Sequence, residues 1–172
     1  MKTKFAKPLF ATLVFATFWA CNQDIKIENK AIEEITAIQT DYAPDKRVAL
    51  FAVEAIPQGD TYLLKGESNL PEAVAALKSN LDAKNITYID SIQLLPAAHL
   101  EGKTQGLVTI SVANLRSNPK HSAELATQAT LGMPVHILKE EDSWFLIQTP
   151  DGYLAWVDDG GIVAMTPAEM TT

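Results

Sequence analysis

A single cysteine, Cys21, and three histidines, His99, His121 and His136, are the side chains of this chain best suited to nucleophilic or metal chemistry. A cysteine nucleophile needs a base that maintains the thiolate, and structural zinc needs closely spaced Cys and His ligands. The histidines share no close spacing with one another or with a cysteine pair, so no metal centre is expected. Gly66-Glu67-Ser68 does not complete a nucleophile elbow, because Leu70 stands where Gly-x-Ser-x-Gly needs its last glycine. The sequence has no glycine-rich phosphate loop, and no cofactor is expected. What remains is recognition chemistry. Trp144 and Trp156 are large amphipathic rings of the kind enriched at binding surfaces, unless a small core consumes them.

The surroundings of Cys21 give it a different role. Lys2, Lys4 and Lys7 precede the apolar run Leu9 to Ala20, which falls short of the ~20 residues a helix needs to cross a bilayer. This is the pattern of a secretory signal. Phe18-Trp19-Ala20-Cys21 resembles a lipobox, with aromatic residues where Leu and a small residue are common, and the resemblance implies lipidation of Cys21 in a bacterial lipoprotein. The expected location is the cell envelope, membrane-anchored on a periplasmic or outer-membrane face. The whole chain carries a net charge of −7; removing residues 1–21 takes away three lysines and no acid, leaving about −10. Such a balance argues against a nucleic-acid partner and against electrostatic adhesion to anionic lipid. Attachment then rests on acyl chains, at ~0.8 kcal/mol per buried CH₂. With no second cysteine an intramolecular disulfide is impossible, and stability must come from packed cores.

The elements that must position any site are read from periodicity. After residues 22–29, a polar tether, Ala31, Ile35, Ile38 and Tyr42 recur at helical spacing, and Pro44-Asp45 ends that helix. Val48 to Val53 suits a buried strand, and Pro57-Gln58-Gly59-Asp60 turns the chain into a second strand, Thr61 to Lys65. The next helix starts with Ser68 or Asn69 as cap, Pro71 near its first position and Glu72 where the macrodipole favours an anion. It presents Val74, Leu77 and Leu81 on one side and runs to about Lys84. Ile86 to Leu95 reads as a third strand, stopped by Pro96. Residues 30–100 are therefore expected to form an α+β domain, with helices on one face of a small antiparallel sheet. Ala97 to Gln105 reads as a linker. From Gly106 the helical period disappears: Val108, Ile110 and Val112 alternate, Val135–Leu138 pairs with Trp144–Gln148, and Pro150-Asp151-Gly152 signals a tight hairpin. Residues 106–164 are expected to form an all-β small barrel of five short strands, and residues 165–172 a tail without pattern.

Asn114-Leu115-Arg116-Ser117-Asn118-Pro119, then Gly132-Met133-Pro134-Val135, then Trp144-Phe145, then Gly152 and Trp156-Val157 stand in the order and spacing of a bacterial SH3 (SH3b) domain, which this third of the chain resembles. The resemblance implies an SH3-like barrel with a ligand groove between the loop after Pro119 and the hairpin at Gly152. Ser111 to Gln128 further resembles the SH3 region of exported NlpC/P60 peptidases, which cut the stem peptide of peptidoglycan. In those proteins a domain like residues 30–100 comes first and the catalytic domain last. They need a Cys nucleophile with a His base, whereas the one cysteine here is assigned to lipid and the chain stops where a catalytic domain would begin. The expectation is a non-catalytic module that binds the stem peptide or a muropeptide, or completes the site of an NlpC/P60 catalytic domain. The alternatives are a fragment of a full cysteine endopeptidase of γ-D-glutamyl-L-diamino acid type continuing past residue 172, and an SH3-type protein–protein adaptor. By the same resemblance the free amino end of the stem peptide meets an acid and a phenol, which points to Glu124 and Tyr153. Trp144 and Trp156 belong to the core or the groove edge. Arg116, at the diverging turn, satisfies loop carbonyls or touches ligand.

Overall fold

Helix begins well before the apolar periodicity does. In the computed structural model, which describes residues 24–171, α1 spans Asp24–Tyr42. The expected signal and Cys21 lie outside the described residues. Residues 24–29, expected as tether, belong to the helix; no proline or glycine interrupts 24–42, so nothing in the backbone opposes helix there. Ala31, Ile35 and Ile38 bury one side, while Tyr42 is left exposed.

β1 (Phe51–Gln58) and β2 (Thr61–Ser68) pair antiparallel about Gly59-Asp60, where Gly59 takes φ 63°. Pro57, expected in the turn, sits inside β1 opposite Tyr62. β1 is an outer strand, in the order β1-β2-β3, so a missing N–H is tolerated. α2 (Pro71–Ala83) then crosses the sheet, and β3 (Tyr88–Leu94) lies parallel to β2. The sheet is thus mixed, where an antiparallel one was expected: a strand that returns through a helical crossover runs in the same direction as its partner. Ser68 and Asn69 do not cap α2. Asn69 Oδ1 accepts from the Leu50 N–H (2.8 Å), while Ser68 Oγ donates to the Leu50 carbonyl (2.9 Å) and accepts from the Leu70 N–H (3.0 Å), fastening the helix start to the chain ahead of β1. Phe51, Tyr62 and Leu64 of the sheet pack with Val74, Leu77 and Leu81 of α2 and with the α1 stripe. Each large side chain so buried contributes about 1.5–3 kcal/mol. On β3, Asp90 Oδ1 accepts from the Ile92 N–H (3.0 Å) and Oδ2 from Lys78. Partial burial disfavours its charged form, but these hydrogen bonds outweigh it and its pKa is lowered.

The second lobe holds seven strands instead of five: β4 (Gln105–Val108), β5 (Val112–Arg116), β6 (Leu125–Thr130), β7 (Pro134–Glu141), β8 (Trp144–Gln148), β9 (Leu154–Asp158) and β10 (Ile162–Met165). They form one sheet in the order β10-β4-β7-β8-β9-β5-β6. The alternating run Val108, Ile110, Val112 does not make a single strand, because the chain bends at 109–111 and parts β4 from β5. All seven strands feed one core, through Val108, Leu115, Ala129, Ile137, Ile147, Val157 and Ile162 among others. The C-terminal residues are patterned after all: Thr166 and Glu169 make a capping box at the start of α3 (Pro167–Met170).

The stretch leaving β3 is packed between the lobes, and of the expected linker 97–105 Ala97 joins it while Leu100 joins the core of the second lobe and Gln105 opens β4. Leu95 and Ala97 are buried in a cluster with Leu138, Trp144, Leu146 and Trp156, and half-buried Leu50 and Leu154 pack against it. A bulge in β7 sets Leu138 and Lys139 together against Leu146 of β8, so that both face the N-terminal lobe. Lys139 Nζ donates to both Glu67 carboxylate oxygens (2.8 and 3.0 Å), and the Ala97 N–H donates to the Leu138 carbonyl (2.8 Å).

Candidate binding cleft

Strand alternation on β5 turns Ala113 and Leu115 into the core and leaves Val112, Asn114 and Arg116 on the outer face. That face is the floor of a cleft of about 270 Å³, bounded by Ile110, His121, Trp144, Asp158 and the backbone of Gly160-Gly161. Trp144 opens β8 and Asp158 closes β9, and the two stand opposite each other in the ladder. The Asp158 carboxylate divides its work. Oδ1 accepts from the Gly160 N–H (3.0 Å) and caps the turn Asp159–Gly161, while Oδ2 lies 3.5 Å from His121 Nε2. The His121 ring meets Trp144 edge-on, with centroids 5.0 Å apart and planes at 60°, an arrangement favoured by aromatic quadrupoles. At Gly161 a Cβ would come within 3.3 Å of Ile110 Cδ1, so a glycine keeps this rim low. Arg116 Nη1 donates to the Ala123 carbonyl (2.8 Å), which ties the loop carrying His121 back to β5.

The cleft therefore brings apolar surface from Ile110, Val112 and Trp144 together with the carboxylate of Asp158 and the side chain of Arg116. Ile110 and Val112 remain 43% and 46% exposed, apolar surface available to a ligand. A short peptide with an apolar side chain and charged ends matches that combination.

Of the residues singled out from sequence, Arg116 and Trp144 come together here. Trp156 does not: it is buried in the interlobe cluster with Lys139 Nζ 5.1 Å from its ring centre. Glu124 is exposed ahead of β6, outside the cleft lining; its carbonyl accepts from the Ser117 N–H (3.0 Å). Tyr153 is on the other side of the hairpin, its ring 6.0 Å from the Arg47 guanidinium. Arg47 also pairs with Asp45 at 2.7 Å; its side-chain hydrogen bond draws the Asp45 carboxyl down to about 2, and the Asp45 hydrogen bond, with a smaller contribution from Tyr153, raises the pKa of Arg47. The Gly152 hairpin, expected as one wall of the ligand groove, does not line this cleft. That hairpin is docked on the N-terminal lobe, where the Leu154 N–H donates to the Arg47 carbonyl (2.7 Å) and Gln148 Nε2 to the Val48 carbonyl (3.1 Å). Asp158 escaped the sequence reading, although an acid directly before Asp-Gly-Gly at a strand end signals a side chain turned back on a tight turn.

A family model of the bacterial SH3 domain matches residues 111–163. The match takes in β5 to β9, and every cleft residue named here except Ile110. Domains of this family generally bind cell-wall components or act in protein interaction. No curated protein matches the chain.

Proposed function

We propose that this chain is an exported, lipid-anchored envelope protein that binds the stem peptide of peptidoglycan in the β5–β8–β9 cleft and does no catalysis itself. The observation that carries the reading is the cleft, in which Trp144, Asp158, His121 and Arg116 converge within the segment matching the bacterial SH3 family. In this reading the amino end of the peptide meets Asp158 in place of Glu124, and a carboxylate of the peptide meets Arg116 through charge-assisted hydrogen bonds. Two further features of the sequence support it: the secretory pattern of residues 1–21 fits export to the compartment that holds peptidoglycan, and the lone cysteine falls at the lipobox-like stretch. A relation to NlpC/P60 peptidases, with this chain targeting or completing a catalytic domain, belongs to the same proposal. Among the described residues no helix is long and apolar enough to cross a membrane, and attachment is assigned to lipid on Cys21.

Co-sedimentation with purified peptidoglycan sacculi tests this. Wild type and Glu124→Ala/Tyr153→Ala are expected in the pellet, and His121→Ala/Asp158→Asn in the supernatant. Equal retention of all three removes the cleft as the site, and wild type left in solution removes the cell-wall ligand and favours a protein partner.

A further inference from the structure

We propose that the N-terminal lobe is a working part of the binding site: through the interlobe cluster it holds Trp144, the aromatic wall of a cleft that the lobe itself does not line. The proposal rests on the cleft being the ligand site and adds to it the role of the segment before Gln105.

Trp144 has two sets of neighbours. Its indole meets the His121 ring in the cleft at an interplanar angle of 60°, while the residue, only 7% exposed, belongs to the cluster that includes Leu95 and Ala97 from the stretch leaving β3. β8 is buried on both faces, with Phe145 and Ile147 turned into the sheet's own core and Trp144 and Leu146 turned to the N-terminal lobe. Close-packed interiors transmit displacement instead of absorbing it, so a change at the lobe contact reaches the indole. The fastenings fall on β8 and β9, which carry cleft residues, and on β7, which lines no part of the cleft but pairs with β8. β7 receives the Ala97 N–H at Leu138 and the Glu67 carboxylate at Lys139; β8 reaches Val48 through Gln148; β9 reaches Arg47 through the Leu154 N–H. β8 and β9 carry Trp144 and Asp158 at their facing ends. Interfaces between domains that are small and polar allow relative motion, whereas this one is apolar at its centre and hydrogen-bonded around it. The lobe is accordingly a positioning element, and the SH3-like segment presents its full cleft with the lobe in place.

Two variants outside the cleft test this in the full-length chain. Leu50→Ala trims a half-buried side chain at the cluster margin, and Glu67→Gln removes the partner charge of Lys139. His121, packed edge-on against Trp144, reports the indole position through ring-current shifts in the NMR spectrum of histidine-labelled protein. Both variants are expected to keep wild-type circular dichroism and to shift the His121 ring resonances. Affinity for sacculi is expected to fall about fivefold or more in Leu50→Ala, the lower end of usual coupling between sites, and less in Glu67→Gln. His121 resonances at their wild-type positions in both variants overturn the proposal, as does unchanged sacculus affinity when they have moved. A wild type that ignores sacculi sinks the cell-wall reading alone, and the His121 resonances then decide the positioning role by themselves.

Discussion

Leu138→Ala removes a side chain that is 2% exposed at the centre of the interlobe cluster, leaving the Ala97 N–H to Leu138 carbonyl bond in place. Leu→Ala in a packed interior costs about 2–5 kcal/mol, and the middle of that range, about 3 kcal/mol, is the value expected here. For a chain of this length each kcal/mol moves Tm by about 2–4 °C, so the melting point should fall by about 6–12 °C. Glu67→Gln is the reference: its ion pair with Lys139 is 26% and 16% exposed on the two side chains, and a partly screened pair contributes about 1 kcal/mol or less. Differential scanning calorimetry of both variants beside wild type makes the comparison. Because Leu138 faces residues of both lobes, wild type should melt in one endotherm and Leu138→Ala should move that endotherm whole. Two separate transitions in wild type, or a shift in Leu138→Ala no larger than that in Glu67→Gln, would refute the claim that the cluster joins the lobes energetically.

Gly66 sits in β2 at φ 137°, and a Cβ there would stand 1.9 Å from the Ala52 carbonyl oxygen, so Gly66→Ala should lose more than about 3 kcal/mol in urea unfolding or fail to fold. A stability change under about 1 kcal/mol would contradict the β1–β2 spacing. The Asp45 carboxyl is lowered from 3.8 to about 2, chiefly by the side-chain hydrogen bond from Arg47. A folded-state pKa below the unfolded one contributes stability above about pH 4 that disappears as pH falls toward about 2. The Tm advantage of wild type over Asp45→Asn should therefore be present near pH 6 and mostly lost near pH 2; a constant difference across that range would dissociate it from the ionised pair.

The parts of the fold that were legible are those written in a single turn or strand. Pro71, Glu72 and the Val74, Leu77, Leu81 stripe mark α2 without reference to anything distant, and Pro44 follows the end of α1. β6 was not legible, because Leu125-Ala-Thr-Gln-Ala-Thr offers one large apolar residue and that residue is 49% exposed. The parallel pairing of β3 was hidden since strand direction is decided by the crossover, not by the composition of the strand. Trp144 could be read as core or as ligand surface; its position at a domain boundary makes it both, a circumstance no periodicity encodes. Tyr153 reads as a groove residue and Trp156 as core or groove edge, because the sequence does not disclose that the first lobe covers their side of the hairpin. Lys139 is the sharpest case: strict alternation from Ile137 turns it inward, and only the bulge sends it out to Glu67.

The carboxylate of Asp90, folded back on the Ile92 N–H of an outermost strand, has a consequence for how separate molecules meet. A strand arriving from another copy would find that donor already occupied, with a fixed charge pair to Lys78 alongside it. Ile89 and Leu94 of the same strand leave greasy surface in water, and the blunted backbone there discourages the stacking into fibres that such surface would otherwise invite.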